Sequence, residues 1–173
     1  PSSLIIGYKD VYRSYDNGSW WHKISNFGLS SPLNLLAYSP TDSNYIYAIV
    51  GSTIFGTYDG GSNWQTIGVA TGAIQGIAVD YDDPRRFWVA VSTFQQNNQV
   101  FEFNGKNRTN ISYNLPALPA TSIITVKNSA GKLVIGTDIG IYYKEPISQE
   151  WKTLGSNMPP VLVSDIEVNY TTG

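Results

Sequence analysis

A chain of 173 residues, 42% hydrophobic and 13% aromatic, is long enough and apolar enough for one domain with a real core, which excludes a disordered chain. Eleven basic and thirteen acidic residues leave a net charge of -2, and the basic residues are scattered, so no electrostatic case exists for nucleic acid. Cysteine is absent, which excludes disulfide frameworks and thiolate metal sites, and no apolar run approaches the roughly 20 residues that cross a bilayer.

In chain order, the predicted elements form four copies of one unit. The first has strands over residues 4–7 and 11–14, a turn at Asp16, Asn17 and Gly18, and a return strand over 21–25. A leading apolar run over 33–38 opens the second, followed by 47–51, 54–57, a turn at Asp59, Gly60 and Gly61, and 64–68. The third reads 74–79, 88–92, 100–103, a turn at Asn104, Gly105 and Lys106, and 109–112. The fourth reads 123–126, 133–137, 141–144 and 151–155. A last apolar run, 163–170, reads as a leading strand without a unit behind it. No stretch carries the helical 3.6-residue period.

The repeat length follows from tryptophan. Trp21 and Trp64 lie 43 residues apart, and Trp64 and Trp151 lie 87 apart, two such periods. That period matches the roughly 40–50 residues of a propeller blade. The expected fold is all-β: a β-propeller of four-stranded antiparallel blades, about four in this chain, as a partial propeller or half of a larger ring. The chain is one repeat domain, 1–173, with units 1–30, 31–70, 71–115 and 116–157. Segment 158–173 is a leading strand placed to complete the first unit, which lacks its own. Such pairing would close a four-blade ring; the alternatives are a cut through a longer array, or self-association of two copies into an eight-blade ring.

Two segments share the template Ser/Thr-x-Asp-x-Gly-x-x-Trp: Ser14, Asp16, Gly18, Trp21 and Thr57, Asp59, Gly61, Trp64. The pattern suits a tight corner. The Asp accepts backbone N–H groups two residues on, the Gly supplies a positive φ, and the Trp covers the turn from the returning strand. The third copy departs, with Asn104, Lys106 and Thr109 at the Asp, Gly and Trp positions; the fourth keeps Trp151 but has Pro146 and Ser148.

The two intact segments resemble Asp-box, or BNR, repeats, found in the β-propellers of sialidases, some glycoside hydrolases and sortilin-like receptors. The second half, with Gly136-Thr137-Asp138-Ile139-Gly140, Trp151 and Met158-Pro159-Pro160, is similar to propeller segments of large secreted multidomain proteins of Bacteroidetes. The resemblance implies a secreted or cell-surface location.

Asp16 and Asp59 are explained as corner residues by the Gly and Trp spacing. The arginines Arg13, Arg85, Arg86 and Arg108 do not recur at one strand position, which argues against sialidase chemistry. A glycosidase needs two opposed carboxyl groups. The candidates are Asp80, Asp82, Asp83, Glu102, Asp138, Glu145, Glu150, Asp165 and Glu167. Asp138, in a Thr-Asp-Ile-Gly turn, and Asp165, at the start of an inner strand, lead as weak catalytic candidates. His22 stands alone, so neither a triad nor a zinc site is expected, and no cofactor or metal is expected. Aromatic residues are the better lead. Tyr12, Phe94, Tyr113 and above all Trp20, Tyr15, Tyr58, Tyr142 and Tyr143 read as an exposed set suited to sugar stacking or protein contact. The expected function is a non-catalytic extracellular recognition or scaffolding module binding a glycan or a protein partner, without membrane insertion. The alternative is a fragment of an Asp-box glycoside hydrolase acting on polysaccharide.

Overall fold

A computed structural model describes residues 3–155 and 157–170. Fifteen strands form, and no helix occurs among the described residues. They are β1 (Leu4–Gly7), β2 (Val11–Ser14), β3 (His22–Lys23), β4 (Leu35–Tyr38), β5 (Ile46–Val50), β6 (Thr53–Thr57), β7 (Gln65–Val69) and β8 (Ala73–Val79). They continue with β9 (Arg86–Ser92), β10 (Val100–Asn104), β11 (Asn107–Asn110), β12 (Ala120–Thr125), β13 (Leu133–Thr137), β14 (Gly140–Lys144) and β15 (Lys152–Thr153).

All pairings are antiparallel between sequence neighbours, as short turns require. They give one three-stranded sheet, β1-β2-β3, and three four-stranded sheets: β4-β5-β6-β7, β8-β9-β10-β11 and β12-β13-β14-β15. The first sheet lacks the inner strand that the other three possess. Inner strands β4, β8 and β12 lie side by side, so the sheets radiate from a common line. Gly76 makes one of these approaches feasible. A Cβ there would stand 3.0 Å from the Ile123 backbone N and 3.2 Å from the Ser122 Cα.

Two cores fill the spaces between sheets. The third sheet serves both, because strand residues alternate in direction. Phe87, Val89 and Val91 of β9 pack with Tyr47, Ile49 and Ile54 of the second sheet. Trp88 and Ala90, between them, pack with Ile123, Leu133 and Ile135 of the fourth. Phe87 stacks parallel to Phe103 at 5.0 Å and meets Tyr47 at 4.3 Å. The Tyr47 hydroxyl donates to the Pro84 carbonyl at 2.6 Å, which satisfies the polar end of a buried ring.

The segment expected to be a strand over 163–170 forms none, and its extension over 171–173 lies outside the described residues. It does not pair with β1. Val163 N–H donates to the Thr137 carbonyl at 3.0 Å, and the Val163 carbonyl accepts the Thr121 hydroxyl. Gly136 has no side chain, and Val163 and the Ser122 hydroxyl occupy the space where its Cβ would stand. Val163 thus lies on the face of the fourth sheet that looks away from the third, while Tyr170 at the far end of the segment reaches Tyr81 of the third unit. No ladder joins the first sheet to the fourth among the described residues, and the array is open.

Phe87→Ala removes a ring packed between the second and third sheets and should cost about 3–5 kcal/mol in urea unfolding. A loss below about 1 kcal/mol would contradict the central place given to this ring.

Candidate functional site

The two intact corners are built alike. The Ser14 hydroxyl donates to Asp16 Oδ1 at 2.7 Å and accepts the Gly18 N–H at 2.8 Å. The Thr57 hydroxyl donates to Asp59 Oδ1 at 2.7 Å and accepts the Gly61 N–H at 3.0 Å. The carboxylates accept N–H groups four residues on, from Trp20 and Asn63, both at 2.9 Å. The hydroxyl residue therefore holds the glycine, and the Asp reaches further round the turn than two residues. Gly18 and Gly61 have φ of 93° and 103°. At Gly61 a Cβ would also stand 2.7 Å from the Ile24 side chain, so the corner packs directly onto the preceding sheet.

These bonds fix the charge state. The Asn63 backbone N–H, its side-chain amide and the Thr57 hydroxyl hold the Asp59 carboxyl down at about 2. The Trp20 N–H and the Ser14 hydroxyl lower Asp16 in the same direction. Such carboxylates are locked acceptors, unsuited to giving up a proton near neutrality.

The tryptophans link neighbouring sheets at the outer rim. Trp64 Nε1 donates to the Ile24 carbonyl at 2.6 Å, and Trp151 Nε1 donates to the Ile111 carbonyl at 2.8 Å; each pair is 40 residues apart. Phe27 meets the Trp64 ring edge-on at 5.0 Å. The third unit, without a Trp, keeps the link by other means. Arg108 donates to the Val69 carbonyl at 2.8 Å across 39 residues and lies over the Phe101 ring.

The eroded turns are held by other chemistry. Gly105 with φ of 56° and Lys106 make a two-residue hairpin between Asn104 and Asn107. In the fourth unit Lys144 occupies the strand end that Thr57 occupies in the second. Its buried ammonium donates to the Glu145 and Pro146 carbonyls at 3.0 and 3.2 Å. Burial lowers its pKa, opposed by Glu102 and Glu145. Neither Arg108 nor Lys144 fits the template, so sequence matching passes over both.

The carboxyl candidates do not converge. Asp80 is buried and pairs with Arg86. Glu102 accepts Trp88 Nε1 at 2.8 Å; Glu145 pairs with Lys132 at 2.7 Å; Glu150 lies 3.9 Å from Lys152. Asp83 caps the Arg85 N–H at 3.0 Å. Asp138 sits in the β13–β14 turn, where Thr137 bonds the Gly140 carbonyl at 2.9 Å. Asp165 is exposed, on the segment beside β12, at the same end of the sheets.

The aromatic set divides. Tyr15 and Trp20, 60% and 67% exposed, flank the first corner, and Phe94 is exposed elsewhere. Tyr12, Tyr113 and Tyr143 are half-buried. Tyr58 packs on Tyr45 and the Arg85 guanidinium, Tyr142 against the second core, and Tyr143 beneath the Lys132 ammonium. Tyr58 follows β6 of the second sheet, and Tyr142 and Tyr143 stand on β14 of the fourth.

Two depressions bring polar groups together. The first is a groove of about 380 Å³ at the starts of the inner strands, where Gln75, Thr121, Ser122, Ser164 and Asp165 meet Leu35, Leu36 and Ile77. Ser122 is 6% exposed, and its buried hydroxyl has no partner among the described residues. The second is a cleft of about 440 Å³ between the first two sheets, lined by Arg13, Tyr15, Lys23, Asn44, Asp59 and Ser62. Among the described residues no group of three or more His, Cys, Asp or Glu is placed to hold a metal ion.

Solved structures share this arrangement of radiating sheets. The GH74 enzyme of Niastella koreensis superposes with a TM-score of 0.73 at 20% identity, over 91% of this chain and 23% of that one. The GH74 xyloglucanase of Xanthomonas campestris gives 0.69 at 15% identity, over 91% and 29%. The fold is a β-propeller. YCF48 bound to D1 peptide also matches, with a TM-score of 0.57 at 18% identity over 85% of this chain and 48% of that one. At these identities the likeness carries the propeller fold alone. The four sheets are blades of an open array, and the chain spans about a quarter of the GH74 chains. In sequence, 68 residues are 35% identical to vacuolar protein sorting/targeting protein 10 of Clavispora lusitaniae, covering 38% of this chain and 4% of that protein. No family model matches.

Trp151→Phe keeps the apolar ring but leaves the Ile111 carbonyl unpaired, and should cost about 1–3 kcal/mol in chemical denaturation. For Asp59 the lowered folded value means stability present above about pH 4, the ordinary carboxylate range, and lost as pH falls toward about 2. The gap in denaturation midpoint between the wild type and Asp59→Ala should therefore narrow between pH 4 and 2; a gap that holds constant would remove the locked-acceptor role.

Proposed function

We propose that this chain is a non-catalytic extracellular recognition module of a secreted or cell-surface protein, and that it binds a neutral glycan in the groove where the inner strands converge. The carrying observation is the composition of that groove. An apolar floor of Leu35, Leu36 and Ile77 meets the hydrogen-bonding residues Gln75, Thr121, Ser122 and Ser164. Sugar rings present the matching pair of surfaces, apolar C–H faces and hydroxyl edges. Among the described residues Asp165 is the only carboxylate in the lining, which supports binding without hydrolysis, since glycoside hydrolysis uses two. The Asp-box-like corners, the GH74 neighbours and the match to vacuolar protein sorting/targeting protein 10 support an exported glycan- or protein-recognising propeller.

A second reading makes the chain a piece of an Asp-box glycoside hydrolase. It is favoured by Asp165 in the lining of this groove and by Asp138 in the β13–β14 turn of the fourth blade.

Calorimetric titration with xyloglucan oligosaccharides, with a parallel reducing-sugar assay, separates the two. Binding without sugar release, weakened at least fivefold by Gln75→Ala, is the expected result. Sugar release that disappears in Asp165→Asn or Asp138→Asn would replace recognition by hydrolysis.

A further inference from the structure

The cleft between the first two blades contains a charge that the fold leaves uncompensated. Arg13, on β2, is 6% exposed. Its Nη1 donates to the Ser43 carbonyl at 3.2 Å, and its Nη2 donates to the Ser3 and Ser43 hydroxyls at 2.9 and 2.8 Å. All three acceptors are neutral. Among the described residues no carboxylate lies within 4 Å of the guanidinium, and its buried Nε–H has no acceptor. Burying a cation without a counter-charge is costly, and buried guanidinium groups are ordinarily met by carboxylate or phosphate. The nearby cation Lys23 already has its partner, Asp10, at 2.7 Å.

The surroundings specify more than an anion. The Arg13 guanidinium lies 5.1 Å over the Tyr15 ring, which is 60% exposed at the mouth of the cleft. The opposite wall is the second corner. Asn44, Asp59 and Ser62 line it, and Arg13 Nη1 comes 3.5 Å from where a Gly60 Cβ would stand. Asp59 disfavours a bare anion close to it, yet it is a strong acceptor for hydroxyl groups, because its pKa of about 2 keeps it ionised. An exposed ring, a cation with no counter-charge and a wall of hydroxyl partners fit a ligand with an apolar face, an acidic group on one edge and hydroxyls on the other.

We propose that this cleft is a binding site for an acidic sugar residue, carboxylated or sulfated, within a glycan. The acidic group meets Arg13, the sugar face rests on Tyr15, and the hydroxyls donate to Asp59 and Asn44. The site lies at the rim between two blades, apart from the groove at the inner strands, and it uses a corner residue that the fold already holds ionised.

The test is titration of the 173-residue chain at low and moderate salt with three oligosaccharides of equal length: an oligogalacturonate, a sulfated oligosaccharide and a neutral cello-oligosaccharide. At least one acidic oligomer should bind at least tenfold tighter than the neutral one, and more weakly as salt rises. Whichever acidic oligomer binds identifies the acidic group. Tyr15→Ala and Arg13→Gln should each weaken it at least tenfold, and Gln75→Ala should leave it unchanged. Arg13 is buried, so Tyr15→Ala decides if Arg13→Gln does not fold. Equal affinity of the Gln75→Ala variant for acidic and neutral oligomers, acidic binding indifferent to Tyr15→Ala, or an oligoglutamate peptide bound as tightly as the glycan would each overturn the proposal. Failure here leaves neutral-glycan binding in the inner groove standing, because Gln75→Ala reports on that groove alone.

Discussion

Burial of both faces of an inner sheet is the constraint on which the molecule depends. A sheet flanked on each side has no polar face to give to water, so its strands must be apolar in both directions. Strand β9 meets that demand with Phe87, Val89 and Val91 on one side and Trp88 and Ala90 on the other. Each large side chain so buried contributes about 1.5–3 kcal/mol. The demand leaves little freedom in the blade interiors. Chemistry is confined to the line where the inner strands meet and to the outer rim, where sheets touch only at their turns.

At the rim the structure conserves a contact rather than a residue. Trp64 and Trp151 donate across to the preceding sheet through an indole N–H, and Arg108 does so through a guanidinium, each to a main-chain carbonyl 39 or 40 residues earlier. All three combine a donor with a flat surface, so the exchange costs neither the hydrogen bond nor the packing. Lys144 for Thr57 is a larger change. A hydroxyl that both donates and accepts is replaced by an ammonium that only donates, and the turn presents carbonyls in place of N–H groups. A repeat architecture tolerates this because each corner is closed by its own short segment. The cleft lined by Arg13 and Tyr15 opens beside a corner that keeps the full template.

Much of the fold was legible in the sequence because it rests on local signals. Alternating β-branched runs, turns rich in Gly and Asp, and a tryptophan period of 43 placed the interior strands within a few residues. The outer strands were overestimated: the returns predicted over 21–25 and 151–155 pair only at His22–Lys23 and Lys152–Thr153. An outer strand has one neighbour, so side chains alone do not extend its ladder. The run over 163–170 has strand composition, but strand formation depends on a partner edge that composition does not reveal. Corner residues were legible, since their bonds close within four residues. The sites were less so. That Ser122 lacks a partner and Arg13 a counter-charge among the described residues, and that Tyr58 packs on Tyr45 and Tyr143 beneath Lys132, are facts of distant segments meeting.

The central claim is that blades sharing β9 stand or fall together, while the rim corners are closed locally. Native-state hydrogen exchange across a denaturant series tests it most directly. Amides of β5, β9 and β13 should exchange only through one common global opening, with equal free energy and equal denaturant dependence. The Gly18 and Gly61 amides should open independently at lower free energy. Separate openings for β5 and β13, each with its own denaturant slope, would contradict the account and make each blade its own folding unit.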